Sequence, residues 1–299
     1  MLEFRKPELS DKAWVNGVME HSGDMACEYC FGNLYMWSAV YGNTIANYNG
    51  LFMARDGNDE VMYIYPCGNG NKKAAVNELI KYSEKNDNVP LTMYCLTPSK
   101  VRELEEMMPS EFEFFETRDY FDYIYLTDDL INLAGRKYHG KRNHLSYFKN
   151  NFNWSFEEIN DGNLSECFKM NEKWERLNRE KNPEEIGNEL VAIKRAFDNF
   201  DYLNLRGGLL RVDGEVAAYT VGEELNNKTF CTHIEKAYSE IRGAYQAINH
   251  EFASNMLSAY KYINREDDTG SEGLRKAKMS YYPAILLPKY RAVYKGQTI

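Results

Sequence analysis

The sequence lacks any long apolar run. No stretch of its 299 residues reaches the roughly 18 apolar residues that a membrane-spanning helix needs. The N-terminal residues MLEFRKPELS also lack the apolar core of a signal peptide. The composition is 43% hydrophobic and 27% charged, which is typical of globular proteins with one large core or two smaller ones. We therefore expect a soluble, cytoplasmic protein with no membrane span.

Paired cysteines and histidines are also scarce. Cys27-x-x-Cys30 has the spacing of metal and redox sites, but no second pair and no nearby histidine completes such a site. The six cysteines of the chain lie mostly among apolar or aromatic residues. We expect them to be reduced thiols in the core, and we expect no metal.

Basic residues are fewer than acidic residues in this chain. The 45 acidic residues outnumber the 36 Lys and Arg, which gives a net charge of −9 and disfavours broad nucleic-acid binding. Two segments depart from this balance: residues 131–150 hold five Lys or Arg and residues 289–299 hold three, both without an acidic residue. A local anion site is therefore compatible with the sequence, and tRNA is a possible partner that the net charge disfavours.

Two parts of the chain share one order of elements. Alternating apolar residues around Asp-Gly turns predict hairpins over residues 50–68 and 208–225. Each hairpin is followed by a strand, a glycine and a helix, which predicts two copies of one α/β unit. We place the first domain at residues 1–130 and the second at 131–299, with the basic segment 135–152 as a helix between them.

The remaining elements follow from hydrophobic period and from Gly and Pro signals. We predict helices over residues 71–85, 99–108, 241–257 and 271–280. We predict single strands over 90–96, 228–237, 259–267 and 283–294, and a strand pair over 112–126.

The turn at the beginning of the segment 241–257 contains Arg242 and Gly243. Glycine allows close approach of a ligand to the backbone, and the first turn of a helix offers N–H groups and a positive dipole end. This combination suits a phosphate or pyrophosphate group. An ordinary strand–helix connection explains the same residues equally well.

Three carboxylates, Glu266, Asp267 and Asp268, follow the strand 259–267. Because ligands of open α/β sheets bind at the carboxyl ends of strands, a carboxylate here can serve as a general base for an amine substrate. Arg275 and Lys278 share one face of the next helix and are candidates for holding phosphate or carboxylate. A solvated acidic turn followed by an amphipathic helix is the structural alternative.

Two stretches carry a family resemblance, namely residues 138–152, YHGKRNHLSYFKNNF, and residues 264–283, NREDDTGSEGLRKAKMSYYP. They resemble a bacterial family related to the C-terminal domain of phosphatidylglycerol lysyltransferase, and the order of elements resembles the GNAT acyltransferase superfamily. The resemblance runs over most of the chain and is strongest from residue 118 to 294. It implies an α/β (α+β) fold of two tandem GNAT-like mixed-sheet units with flanking helices.

The resemblance implies a site for coenzyme A or acyl-coenzyme A as the donor. The strands 228–237 and 259–267 would splay apart, and backbone groups would pair with the pantetheine arm at Ile234, Glu235 and Ala237. The turn would cradle the pyrophosphate with Ile241, Arg242, Gly243, Ala244, Tyr245 and Gln246. The GNAT signature has a second glycine where this chain has Ala244-Tyr245.

The same resemblance implies catalytic and substrate-binding residues. Glu266 or Asp267 would be the acid/base, and Tyr281 or Tyr282 would protonate a leaving thiolate, although packing is the commoner role of tyrosines before a proline such as Pro283. Lys141 and His144 on the basic helix would reach the acceptor or the donor, although a solvated basic face explains them equally well.

Three hypotheses follow for function. The first is transfer of an acyl group from acyl-coenzyme A to a small-molecule amine. The second is aminoacyl transfer from a charged tRNA to a small or cell-wall acceptor, with the segment 136–149 on tRNA phosphates. The third is a non-catalytic binding module, because a fold alone does not establish activity.

Overall fold

The structure is a computed structural model that describes residues 2–19, 24–57, 60–178 and 183–296. The chain forms two compact units. Unit 1 contains Met1–Asp122, Glu266–Lys276 and Leu286–Ile299, and unit 2 contains Tyr123–Arg265 and Ala277–Ile285.

Unit 1 is built around a mixed sheet. Its elements in chain order are α1 (Lys12–Met19), α2 (Phe31–Tyr41), β1 (Thr44–Tyr48), β2 (Leu51–Asp56), β3 (Met62–Ile64), α3 (Lys72–Tyr82), β4 (Thr92–Leu96), α4 (Pro98–Met107) and β5 (Phe112–Glu116). The last described strand, β13 (Tyr290–Tyr294), completes the sheet of unit 1. In the described residues the strand order is β1-β2-β3-β4-β13-β5. Only β3 and β4 pair in parallel, and apolar side chains of α3, α4 and the strands form the core.

Unit 2 contains a second mixed sheet. Its elements are β6 (Asp122–Leu126), α5 (Thr127–Asn132), α6 (His139–Asn151), β7 (Trp154–Glu158), α7 (Leu164–Asn178), α8 (Pro183–Phe197), β8 (Arg206–Val212), β9 (Glu215–Asn226), β10 (Thr229–Ala237), α9 (Ala244–Met256) and β11 (Tyr262–Asn264). The described strands follow the order β6-β11-β10-β9-β8-β7, and β12 (Ile285–Leu287) hydrogen-bonds outside β6. The helix α10 (Glu272–Met279) precedes β12.

Local predictions agree with these elements. The two hairpins form as β2–β3 and β8–β9, with Arg55 opposite Tyr63 and Val212 opposite Glu215. Pro98 begins α4, as its fixed φ favours. Asn71 caps α3 by accepting a hydrogen bond from the backbone of Ala74. All six cysteine side chains are buried, as predicted.

Three longer segments differ from the predictions. Residues 112–126 were predicted as a strand pair, but β5 pairs with β13 whereas β6 pairs with β11. Residues 283–294 form two strands, β12 and β13, that belong to different sheets. The strand predicted over 259–267 covers only Tyr262–Asn264, and Glu266 has a positive φ that a strand does not adopt.

The units also differ from the predicted division at residue 130. Contacts divide the chain at Asp122, and its C-terminal residues return to unit 1 because β13 inserts between β4 and β5. Apolar periodicity identifies a strand but not its distant partner, so the sequence could not indicate this return.

Candidate functional site

The strands β10 and β11 of unit 2 separate early. They pair in parallel over only three positions, the last being Cys231 with Asn264. Beyond this point β10 has a register shift between Thr232 and Ile234. The separation agrees with the predicted opening between these strands. The residues of β10 after Cys231 do not pair with β11 in the described chain.

An ion pair follows the point of separation. Arg265 is the first residue after β11, and its Nη2 donates to Oε1 of Glu235 on β10 at 2.7 Å. Asn249 of α9 donates to the other carboxylate oxygen of Glu235 at 3.3 Å. The Nζ of Lys278 donates to the backbone carbonyl of Arg265 at 2.6 Å. Arg265 is therefore fixed by its side chain and by its backbone.

Two of the three backbone groups predicted to hold a pantetheine arm have partners within unit 2. The carbonyl of Ile234 accepts a hydrogen bond from Thr220 Oγ1 at 2.9 Å. The carbonyl of Ala237 accepts one from Trp174 Nε1 at 3.1 Å. Their assignment to a cofactor stays a prediction.

The predicted pyrophosphate turn packs against helix α6. Gly243 precedes α9 with φ of +90°, and a Cβ at this position would lie 2.4 Å from the carbonyl oxygen of His144. The guanidinium of Arg242 lies 4.2 Å from the ring centroid of Tyr147, also on α6. Ala244 is buried, and the other residues of the predicted turn, Ile241, Tyr245 and Gln246, are half-buried. The glycine is thus required for close packing of two helices.

Lys141 lies beside the ion pair. Its Nζ is 3.8 Å from the ring centroid of Tyr281, and the Cζ of Arg265 is 5.2 Å from the same centroid. The pKa of Lys141 is lowered to about 8, mainly by burial and additionally by repulsion from Arg265, whereas Glu235 acts in the opposite direction. Lys141 is therefore an amine that changes charge close to neutral pH.

Tyr281 is buried, and burial raises the pKa of its hydroxyl, so the hydroxyl keeps its proton at neutral pH. A proton donor needs that property, and the assignment of Tyr281 as an acid stays a prediction. The other residue predicted on the basic helix, His144, is exposed.

The acidic residues after Arg265 belong to unit 1. Burial raises the pKa of Asp267 to about 7, the carboxylates of Asp122 and Glu28 add to the rise, and Lys289 opposes it. Glu266 accepts a hydrogen bond from Asn33 at 2.9 Å. Asp267 thus has the titration range of a general base, and both catalytic assignments stay predictions.

Arg275 has protein partners within unit 1. Its guanidinium donates to both carboxylate oxygens of Asp268, at 2.9 and 2.7 Å, and to Asp119 at 2.7 Å. Asp268 is fully buried, and its Oδ2 also accepts a hydrogen bond from Arg118 Nη1 at 3.2 Å. In this network Arg275 neutralises the buried carboxylate of Asp268 and also pairs with the exposed Asp119, which gives it a structural role beside the predicted one.

The sequence did not indicate a buried lysine in unit 1. Lys289 is fully buried, and its Nζ donates to Glu28 at 2.6 Å and to Asp122 at 2.7 Å. Cys27, Glu28 and Asp122 could together offer ligand atoms to a metal, but the ammonium of Lys289 already lies on both carboxylates. The sequence analysis places Lys289 within a single strand over 283–294 and within a basic segment, and neither pattern indicates that the ammonium is buried against two carboxylates.

The comparisons with known proteins decide the family. The family model of the phosphatidylglycerol lysyltransferase C-terminal domain matches residues 20–293. The chain belongs to this family. A conserved protein of unknown function from Bacteroides thetaiotaomicron is 37% identical, with a TM-score of 0.94 over 99% of this chain and 100% of that one.

More distant structures show the fold of this lysyltransferase-family member. L-PGS from Bacillus licheniformis is 14% identical, with a TM-score of 0.65 over 97% of this chain and 93% of that one. A tandem GNAT protein from the clavulanic acid biosynthesis pathway is 12% identical, with a TM-score of 0.51 over 98% of both chains. The predicted fold of two tandem GNAT-like mixed-sheet units is confirmed.

One curated relative is an uncharacterised protein of Mycoplasmoides gallisepticum, 25% identical over 177 residues. The match covers 56% of this chain and spans 54% of that protein's own length. In the part of the chain that the structure describes, no helix has the length and apolarity needed to cross a membrane.

Proposed function

We propose that this protein transfers an aminoacyl group from an ester donor, a charged tRNA, to a small nucleophile. The observation that carries the proposal is the opening of unit 2, where β10 and β11 cease to pair and Arg265, Glu235 and Lys141 gather. The related fold and the family description, which names lysyl transfer, support this class of reaction.

The start of α9 favours an aminoacyl ester over acyl-coenzyme A as donor. A pyrophosphate bound at a helix N-terminus needs access to the backbone N–H groups there. In this chain the carbonyl of His144 lies against Gly243, and Tyr147 lies against Arg242. An aminoacyl ester needs no pyrophosphate at this turn.

The basic segment supports a polyanionic donor. Arg136 and Lys137 precede α6 and are exposed, within an acid-free stretch of the chain. Exposed basic side chains bind phosphate backbones through counterion release, so binding should weaken as salt increases. Arg136 and Lys137 are therefore our candidates for contacts with tRNA phosphates, although Lys137 also lies 3.9 Å from Asp129.

The proposed chemistry is direct attack. The nucleophile adds to the ester carbonyl, the C–O bond to the tRNA breaks, and the released ribose hydroxyl takes up a proton. The family resemblance implies proton removal by Glu266 or Asp267 and proton donation by Tyr281, and we keep both roles as part of this proposal. Asp267 is the stronger candidate for the base because its pKa is about 7.

The test supplies hydroxylamine as a small surrogate nucleophile to the purified full chain. A panel of charged tRNAs, lysyl-tRNA included, is assayed for hydroxamate formation, and acetyl-coenzyme A is assayed in parallel for thiol release. We expect hydroxamate formation from at least one charged tRNA above the rate without protein, with a protein-dependent rate that falls as salt increases. Thiol release from acetyl-coenzyme A should not exceed its rate without protein.

Arg242→Glu in the same assay separates the two donors. If Arg242 holds a pyrophosphate, its charge reversal abolishes use of acetyl-coenzyme A. Thiol release without hydroxamate from any charged tRNA would overturn the donor assignment. No turnover of any donor, with folding intact, would favour a binding module.

A further inference from the structure

The cluster in unit 2 contains a buried donor without an acceptor. The Nη2 of Arg265 donates a hydrogen bond to Glu235. Its Nη1 is buried and has no hydrogen-bond acceptor in the described part of the chain. Buried donors of this kind are uncommon, because leaving a charged donor unsatisfied is costly. A ligand oxygen would remove this cost.

Lys141 lies beside Arg265 and is half-buried. Its Nζ contacts the ring of Tyr281, and the described residues give it no hydrogen bond and no ion pair. Arg265 lies over the same ring. Two cationic groups with unused donors therefore lie beside one aromatic ring.

The charges of the cluster do not balance. Lys141 and Arg265 are two cations, and Glu235 is the carboxylate that acts on both of them. Both oxygens of Glu235 already accept hydrogen bonds, one from Arg265 and one from Asn249. The tyrosines that face Arg265, Tyr125 and Tyr281, keep their protons because burial raises the pKa of each. Among the described residues of this cluster, two cationic groups therefore face a single carboxylate.

We propose that Lys141 and Arg265 form a binding site for an anionic oxygen group, a carboxylate or a phosphate, with the ring of Tyr281 as its floor. Arg265 Nη1 donates one hydrogen bond to the ligand, and the ammonium of Lys141 donates another. Charge-assisted hydrogen bonds of this type are short and strong. The identification of the ligand as the acceptor substrate rests on the proposed function. The existence of the anion site does not depend on that function.

The test measures protection of Lys141 in the wild-type chain. Each lysine is labelled by reductive methylation and quantified by mass spectrometry, with inorganic phosphate or acetate against sodium chloride of equal ionic strength. We expect saturable protection of Lys141, with labelling slowed about tenfold. Lys173 is the internal control, because it lies over the ring of Tyr238 at 4.9 Å but is exposed.

Calorimetry on variants gives a second readout. Lys141→Met keeps the apolar stem, and we expect it to weaken binding of the preferred probe by about ten- to a hundredfold, with Lys141→Arg restoring most of it. Protection by phosphate alone identifies a phosphate site, and protection by acetate alone a carboxylate site.

Two results would overturn the site. One is labelling of Lys141 that neither probe slows, and the other is equal slowing at Lys141 and Lys173. Protection of Lys141 in a chain that consumes no donor would leave the site intact and remove the proposed function, so the two failures are distinguishable.

Discussion

Replacing Asp267 with Asn should make the protein more stable at pH 8 than the wild type. Its carboxyl has a pKa near 7 in the folded chain, against 3.8 for an ordinary aspartate. The folded state therefore holds the proton more tightly than the unfolded state, and the stability of the wild type falls as pH rises from about 4 to 7.

The magnitude follows from that shift. Between pH 5 and the folded pKa of about 7 lies a span of about two pH units. Over this span the unfolding free energy of the wild type falls by about 1.4 kcal/mol for each unit. The difference in unfolding free energy between Asp267→Asn and wild type should thus grow by up to about 3 kcal/mol over this range. Above pH 7 the wild type carries the full cost of a buried charge, and the amide does not.

The assay is urea unfolding of both proteins at pH 5 and pH 8. Asp161→Asn is the matched control, because Asp161 is exposed and should show no such growth. A difference between Asp267→Asn and wild type that is the same at both pH values would refute the raised pKa. It would also remove the argument for Asp267 as a base at neutral pH.

Three other substitutions test particular residues. Lys289→Met leaves two buried carboxylates without their cation and should lower the unfolding free energy by about 3–5 kcal/mol, a loss measurable by urea unfolding. Gly243→Ala should lower it by more than Gly214→Ala, since both glycines have positive φ but only Gly243 meets another backbone; equal losses would contradict the helix contact. Tyr281→Phe keeps the ring beside Lys141 and removes the proposed proton donor, so kcat should fall about a hundredfold with folding unchanged; an unchanged kcat would exclude Tyr281 as the acid.

Local structure was predictable because local rules decide it. The hairpin β8–β9 turns at Asp213-Gly214, where both residues have positive φ, and that dipeptide is a known turn signal. The helix α9 follows from apolar residues at helical spacing, among them Ile248, Phe252 and Met256, which are all buried.

Long-range structure was not predictable in this way. The strand β13 inserts into the sheet of unit 1 about 170 residues after β5, and no local pattern encodes that partner. Lys289 precedes β13, so its burial could not be predicted without knowing the strands with which β13 pairs.

The candidate site was predictable only in part. Lys141 and Tyr281 were singled out in the sequence, and the structure places them together. Arg265 was overlooked, because a single basic residue before three acids looks like an ordinary strand end. Gly243 was assigned to a phosphate, whereas its missing side chain makes room for α6, a reason that only packing reveals.

Hydroxamate formation from charged tRNA, measured under single-turnover conditions with wild type and Lys141→Met, tests the central claim most directly. The account predicts that the wild type transfers an aminoacyl group to hydroxylamine and that Lys141→Met, correctly folded, does so much more slowly. Equal rates in the two proteins would contradict the assignment of the transfer site to the opening of unit 2. Consumption of a thioester instead of an aminoacyl ester would contradict the proposal that charged tRNA is the donor.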